Sequence, residues 1–167
     1  LKLINKASKK MRRIIILLAV FTNSLMSSAQ TDSTEMESDK AAVKSLIERF
    51  LTAAGNYDID AMPEMFCAKA NIGGASFRNG KWESFTFSFS EFLDLLKSRS
   101  NPKKYTEPVS KYTIHMDHGM LAFVKADAVV IRDGTSQSNN FDYFTIIKEN
   151  GIWKILNGSY VAVPINN

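Results

Sequence analysis

The fold is decided by residues 140–157, NFDYFTIIKENGIWKILN. Two runs rich in β-branched and aromatic residues, Phe141 to Lys148 and Ile152 onward to Val163, flank the short polar segment 149–151. Asn150 and Gly151 tolerate the positive φ that a tight hairpin turn requires. The stretch therefore predicts two long antiparallel strands joined by a turn, with Trp153 on the second strand packed in the core.

The segments upstream of this hairpin also have strand character. Residues 111–118 alternate between polar and apolar side chains, and His118-Gly119 predicts a turn. The long apolar run 120–132 predicts another strand, and Asp133-Gly134 predicts the start of a polar loop through Asn140. Farther upstream, the sequence predicts a bend at 72–76 that leads into a first strand, a hairpin turn at Asn79-Gly80 and a strand over 81–88.

Helical patterns precede most of the strands. Apolar residues at 42, 43, 46, 47, 50, 51 and 54 form one helical stripe, which Gly55-Asn56 ends. Residues 59–66 predict a short second helix, and a third helix opens at Ser90 with Glu91 and ends near Arg99. The order of elements predicts an α+β domain, in which three N-terminal helices pack on a curved antiparallel sheet and form a cone with an internal pocket.

The first 29 residues have the features of a secretory signal peptide. Met11 is followed by Arg12 and Arg13, an apolar run over 14–21 and small residues at 27–29. We expect cleavage after residue 29 and export to the periplasm or the medium, with no membrane attachment afterwards. The predicted organisation is an upstream extension and signal peptide over 1–29, a disordered leader over 30–38 and a single domain over 39–167.

The charge balance argues against a nucleic-acid partner. The chain has 21 Lys and Arg against 17 Asp and Glu, and six of the basic residues lie in residues 1–29, which contain no acidic residue. The remainder therefore has 15 basic and 17 acidic residues, a net charge of −2. Binding to nucleic acid would need a basic face on the folded domain.

The sequence predicts neither a disulfide nor a metal or cofactor site. Cys67 is the single cysteine and is interpreted as a small buried apolar residue. His115 and His118 are three residues apart on a predicted strand, so their side chains point to opposite faces and cannot share a metal ion. The phosphate-loop and dinucleotide-binding motifs do not occur in the sequence.

The chain resembles the nuclear transport factor 2-like superfamily over about residues 40–163. The resemblance rests on the order of elements and on the ending Asp142-Tyr143, Gly151 and Trp153-Lys154-Ile155. It is strongest to the bacterial branch called putative lumazine-binding or polyketide-cyclase-like. The resemblance implies a cystatin-like α+β fold and a homodimer formed through the sheet. It says little about activity, because the superfamily includes isomerases, dehydratases, hydrolases and binding modules.

Four residues are candidate catalytic groups: His115, Asp117, Asp127 and Asp142. His115 and Asp117 share one face of a strand and could form a base and its orienting partner, although a solvent-facing pair is the favoured interpretation. Asp127 lies in an otherwise apolar strand, two residues after Lys125. It is interpreted as one half of an exposed ion pair, and a buried acid with a raised pKa is the alternative.

Two functional hypotheses follow. The favoured one is an exported domain that binds a small apolar or aromatic molecule, or a partner chain; the alternative is a small lyase or isomerase that uses a pocket carboxylate or histidine as base. The two differ in whether at least two of the residues His115, Asp117, Asp127, Asp142 and Tyr143 point into one enclosed pocket. The candidate ligand-binding residues are Tyr57, Met62, Phe66, Phe85, Phe92, Tyr143 and Trp153, of which Tyr143 and Trp153 are interpreted mainly as core residues.

Overall fold

The computed structural model describes residues 33–165. The chain divides into two units, Leu1–Asp39 and Lys40–Asn167. In the first unit the described residues, 33–39, are helical, although a disordered leader was predicted through residue 38. The predicted signal peptide and upstream extension lie outside the described residues.

Two helices and six strands make up the described part of the chain. Helix α1 covers residues 33–56, and a single 3-10 turn follows at Pro63–Met65. Helix α2 is Phe89–Lys97. The strands are β1 Phe66–Arg78, β2 Lys81–Ser88, β3 Val109–Asp117, β4 Leu121–Arg132, β5 Thr135–Glu149 and β6 Ile152–Pro164.

The prediction of three helices is wrong, because the second one does not form. Of residues 59–66, only Pro63–Met65 make a 3-10 turn, and Phe66 already belongs to β1. Pro63 has no amide proton for a longer helix, and Phe66 pairs with Ile155 of β6. The third predicted helix is confirmed as α2, but Ser88 caps it, through a reciprocal pair of hydrogen bonds with Glu91.

The sheet is curved and mixed, whereas an antiparallel sheet was predicted. Its strand order is β2-β1-β6-β5-β4-β3. Strands β1 and β6 run parallel, and every other neighbouring pair is antiparallel. The C-terminal strand therefore lies inside the sheet, between β5 and the N-terminal hairpin.

The predicted polar loop over 133–140 is also wrong. Asp133 and Gly134, with φ of 51° and 76°, form a tight turn between β4 and β5, as two residues with positive φ do in a type I′ hairpin. Strand β5 begins at Thr135. This extension adds Ser138 and Asn140 to the face of β5 that carries Asp142, because alternate residues of a strand share a face.

The core lies between the helices and one face of the sheet. Val43, Leu46, Ile47, Phe50, Leu51 and Ala54 of α1 are buried, which confirms the predicted stripe except at exposed Ala42. Trp153 is 7% exposed and belongs to this core, with the Lys148 ammonium 4.9 Å from the centre of its ring. Tyr143 is 46% exposed, so its interpretation as a core residue is wrong.

Candidate functional site

A cavity of about 280 Å³ lies between α1, α2 and the core-facing side of the sheet. Its apolar wall comes from both helices and from β1, β4, β5 and β6. Polar and charged side chains line the rest of it. The apolar lining includes Phe50, Leu51, Ile72, Phe92, Leu96 and Phe144, and the polar lining includes Tyr57, Tyr105, Glu107, Asn140, Asp142 and Tyr160.

A row of polar side chains on β5 forms one side of the cavity. The Ser138 hydroxyl donates a hydrogen bond to the Asn140 side-chain oxygen at 2.9 Å. The Asn140 side-chain nitrogen donates to the Glu107 carboxylate at 2.5 Å. Asp142, next in the row, is 4% exposed, and its Oδ2 is buried without a hydrogen-bond partner. Ser138 and Asn140 are therefore hydrogen-bonded, whereas the Asp142 carboxyl has an oxygen without a hydrogen-bond partner.

The two carboxyl groups of the cavity both hold their protons more strongly than usual. Burial, and then the charges of Glu107 and Asp127, raise the pKa of Asp142 to about 8. Burial also raises the pKa of Glu107, and the hydrogen bond from Asn140 opposes that rise. At neutral pH Asp142 is therefore mostly a neutral acid, which can donate a hydrogen bond as well as accept one.

Three tyrosines approach the same space. Gly55 at the end of α1 accepts a hydrogen bond from the Tyr105 amide at 3.0 Å, and a Cβ at Gly55 would collide with the Tyr105 carbonyl. This close approach holds Tyr105 edge-to-face with Tyr57 at 6.4 Å. Tyr57 has a φ of 57°, and its hydroxyl accepts a hydrogen bond from Arg99 at 3.0 Å. Burial raises the pKa of Tyr105 and Tyr160.

Of the residues predicted from sequence, Tyr57, Phe92 and Asp142 line this cavity. Met62, Phe66 and Trp153 are buried in the core and do not line it. Phe85 packs its ring 5.5 Å from that of Tyr160, behind the cavity wall.

The remaining candidates lie on the outer face of the sheet. Asp127 pairs there with Lys125 at 2.5 Å, and Asp117 is exposed. His115 and Tyr143 line a shallow depression beside Phe123. Among the five residues chosen to separate the two hypotheses, Asp142 alone points into the cavity.

Several cavity residues were not anticipated: Glu107, Asn140, Tyr105, Tyr160 and three arginines. The alternation Ser138, Asn140, Asp142, Phe144 is a strand signal that could have revealed the polar row. Glu107 follows no strand or helix pattern in the sequence. Within residues 33–165, no group of three or more His, Cys, Asp or Glu side chains could hold a metal ion, and no helix is long and apolar enough to cross a membrane.

Solved structures with a similar fold come from several bacteria. A nuclear transport factor 2-like protein with a cystatin-like fold from Novosphingobium aromaticivorans has a TM-score of 0.62 and 14% identity, over 80% of this chain and 87% of the other. A putative scytalone dehydratase from the same species has a TM-score of 0.61 and 11% identity, over 78% and 88%. A protein of unknown function from Silicibacter pomeroyi has a TM-score of 0.56 and 17% identity, over 77% and 98%. At these identities the likeness shows the fold alone.

No curated protein matches the chain significantly. A family model described as putative lumazine-binding matches residues 38–161, which is most of the chain. Its extent agrees with the resemblance of residues 40–163, and the structural neighbours show a nuclear transport factor 2-like, cystatin-like fold. The chain belongs to the putative lumazine-binding family and has the nuclear transport factor 2-like fold.

Proposed function

We propose that this domain binds a small aromatic or largely apolar molecule in the cavity between the helices and the sheet, with Asp142 as the polar anchor. The observation that carries the proposal is the unpartnered Oδ2 of Asp142, buried in a cavity that also has an apolar wall from both helices and the sheet. Small-molecule sites typically combine apolar walls with a few convergent polar groups.

The energetics of Asp142 favour an occupant. A buried polar atom without a partner costs about 1–3 kcal/mol, and a ligand carbonyl or hydroxyl at Oδ2 would recover part of that cost. The cavity volume of about 280 Å³ suits a small ligand of up to about three rings, because it lies near the lower end of the roughly 300–1,000 Å³ typical of ligand pockets.

Binding can be tested with the neutral fluorescent probe N-phenyl-1-naphthylamine. Ala162 lines the cavity, and Val161 is the adjacent residue on the opposite face of β6. Ala162→Trp should fill the cavity and weaken probe binding at least tenfold, whereas the matched variant Val161→Trp should change it less than twofold. An absence of saturable binding to the native protein, or equal binding to both variants, would rule the proposal out.

A second candidate function is a lyase or isomerase, the alternative hypothesis from the sequence. The observation in its favour is the buried Asp142, whose pKa of about 8 lies in the range of a general acid or base at neutral pH. A structural neighbour carries the name putative scytalone dehydratase. In a dehydration, the Asp142 carboxylate would take the proton on the carbon next to a ketone and return it to the departing β-hydroxyl, which leaves as water while the carbon–carbon double bond forms.

This alternative has its own test. A cyclic β-hydroxy ketone is incubated with the protein and followed by mass spectrometry for the loss of water. Enzymatic dehydration should disappear in Asp142→Asn, which has nearly the same shape but cannot take a proton. Saturable binding without turnover would support ligand binding and rule out the lyase or isomerase function.

A further inference from the structure

The cavity is lined by more positively charged than negatively charged side chains. Three are arginines, Arg78, Arg99 and Arg132, here named the cationic rim, and two are the carboxyls Glu107 and Asp142. Within residues 33–165, no ion pair joins the cationic rim to either carboxyl. The Nε of Arg132 is buried and has no hydrogen-bond partner. The rim charges are therefore not neutralised by the carboxyls of the cavity.

The sheet register places the cationic rim at one end of the cavity and Asp142 deeper in it. Arg132 ends β4 and pairs with Thr135, whereas Asp142 pairs with Tyr160 farther along the sheet. Thr135 is seven residues before Asp142, about 23 Å along the strand at about 3.3 Å per residue. Arg78 and Arg99 are exposed, so the cavity opens on the side of the rim.

Two of the rim arginines line the cavity together with Tyr160. The positive charges of Arg78 and Arg99 both lower the pKa of Tyr160, against the larger effect of burial, which raises it. Arg99 is also tied to the Tyr57 hydroxyl at 3.0 Å. An anionic group near the Tyr160 hydroxyl would therefore lie in the field of both guanidinium groups.

We propose that the ligand of this cavity is an aromatic carboxylate, with its anionic group on the cationic rim and its ring between the apolar walls. The proposal rests on the binding function proposed above and adds the charge of the ligand. Guanidinium groups bind carboxylates through charge-assisted and often bidentate hydrogen bonds. The buried Nε–H of Arg132 gains an acceptor in this arrangement, and the inner end of the ligand faces Asp142.

Two probes that share one carbon skeleton separate the effect of the ligand's charge from the effect of its shape. The anionic probe is 8-anilinonaphthalene-1-sulfonate, and the neutral probe is N-phenyl-1-naphthylamine, which lacks the sulfonate. Arg132→Gln and Arg78→Gln should each weaken binding of the anionic probe at least tenfold and change binding of the neutral probe less than twofold. Arg132→Lys, which keeps the charge, should restore part of the loss. The control is Arg49→Gln, because Arg49 lies outside the cavity and pairs with Glu64 at 3.7 Å.

Each outcome decides between the two proposals. If the neutral probe binds in the cavity and the anionic probe does not bind, or binds equally well to the rim variants, the ligand is not an anion and the inference is wrong. Equal weakening of both probes by Arg132→Gln and Arg78→Gln would assign the arginines a structural role only. If the neutral probe is unaffected by Ala162→Trp, the proposed binding function itself fails.

Discussion

Asp142→Asn should make the protein more stable, and increasingly so as the pH rises. The ordinary pKa of the Asp142 carboxyl is 3.8, and in the fold it is about 8 because of burial and the nearby Glu107. Between these two values the unfolded chain has released the proton while the folded chain keeps it. The wild type therefore loses stability as the pH rises through this window.

The magnitude follows from the size of the pKa shift. Each unit is worth about 1.36 kcal/mol, so a rise from 3.8 to about 8 corresponds to a loss of about 6 kcal/mol in the free energy of unfolding above pH 8. An asparagine cannot ionise and avoids this loss. The stability advantage of Asp142→Asn should grow by about 3–4 kcal/mol between pH 5 and pH 9.

The assay is urea unfolding of both proteins at pH 5, 7 and 9, followed by tryptophan fluorescence. Asp117→Asn makes the same chemical change at an exposed side chain and serves as the control. Glu107 must be intact in every protein compared, because its charge contributes to the shift. If Asp142→Asn differs from the wild type by the same amount at pH 5 and pH 9, the carboxyl ionises freely in the fold and the inner end of the cavity is hydrated.

Three further predictions concern the core, the outer face and the N terminus. Trp153→Ala should lower the free energy of unfolding in urea by about 3–5 kcal/mol. The control Ile152→Ala should lower it far less, because Ile152 is 61% exposed. Equal losses would contradict the buried position of the indole. The outer face, where Phe123 is 47% exposed, should form a homodimer at tens of micromolar by light scattering, and Phe123→Glu should dissociate it; a monomeric wild type counts against this. Intact mass of the protein from a secreting host should give a chain that starts near Gln30, and a full-length cytoplasmic product would refute export.

Local patterns were sufficient for much of the fold. The stripe of α1, the turns at Asn79-Gly80 and Asn150-Gly151, and the buried Trp153 follow from periodicity and from residues that accept positive φ. These features depend on neighbours a few residues apart in the chain. They were sufficient for the α+β class and for the family, but they placed the start of the first strand after a bend at 72–76, whereas β1 already begins at Phe66.

Tertiary structure decided β1 and the site. Strand β1 pairs with β2 across the predicted hairpin turn, but its other neighbour is β6, some 85 residues later in the chain, and no local pattern encodes that parallel pairing. The site depends on distant segments in the same way: Glu107 meets Asn140, 33 residues away, beside Asp142. The raised pKa of Asp142 arises only after burial removes water and brings Glu107 close. The sequence by itself thus identified Asp142 as one of four candidate catalytic residues, whereas packing determined that Asp142, and not His115, Asp117 or Asp127, lines the cavity.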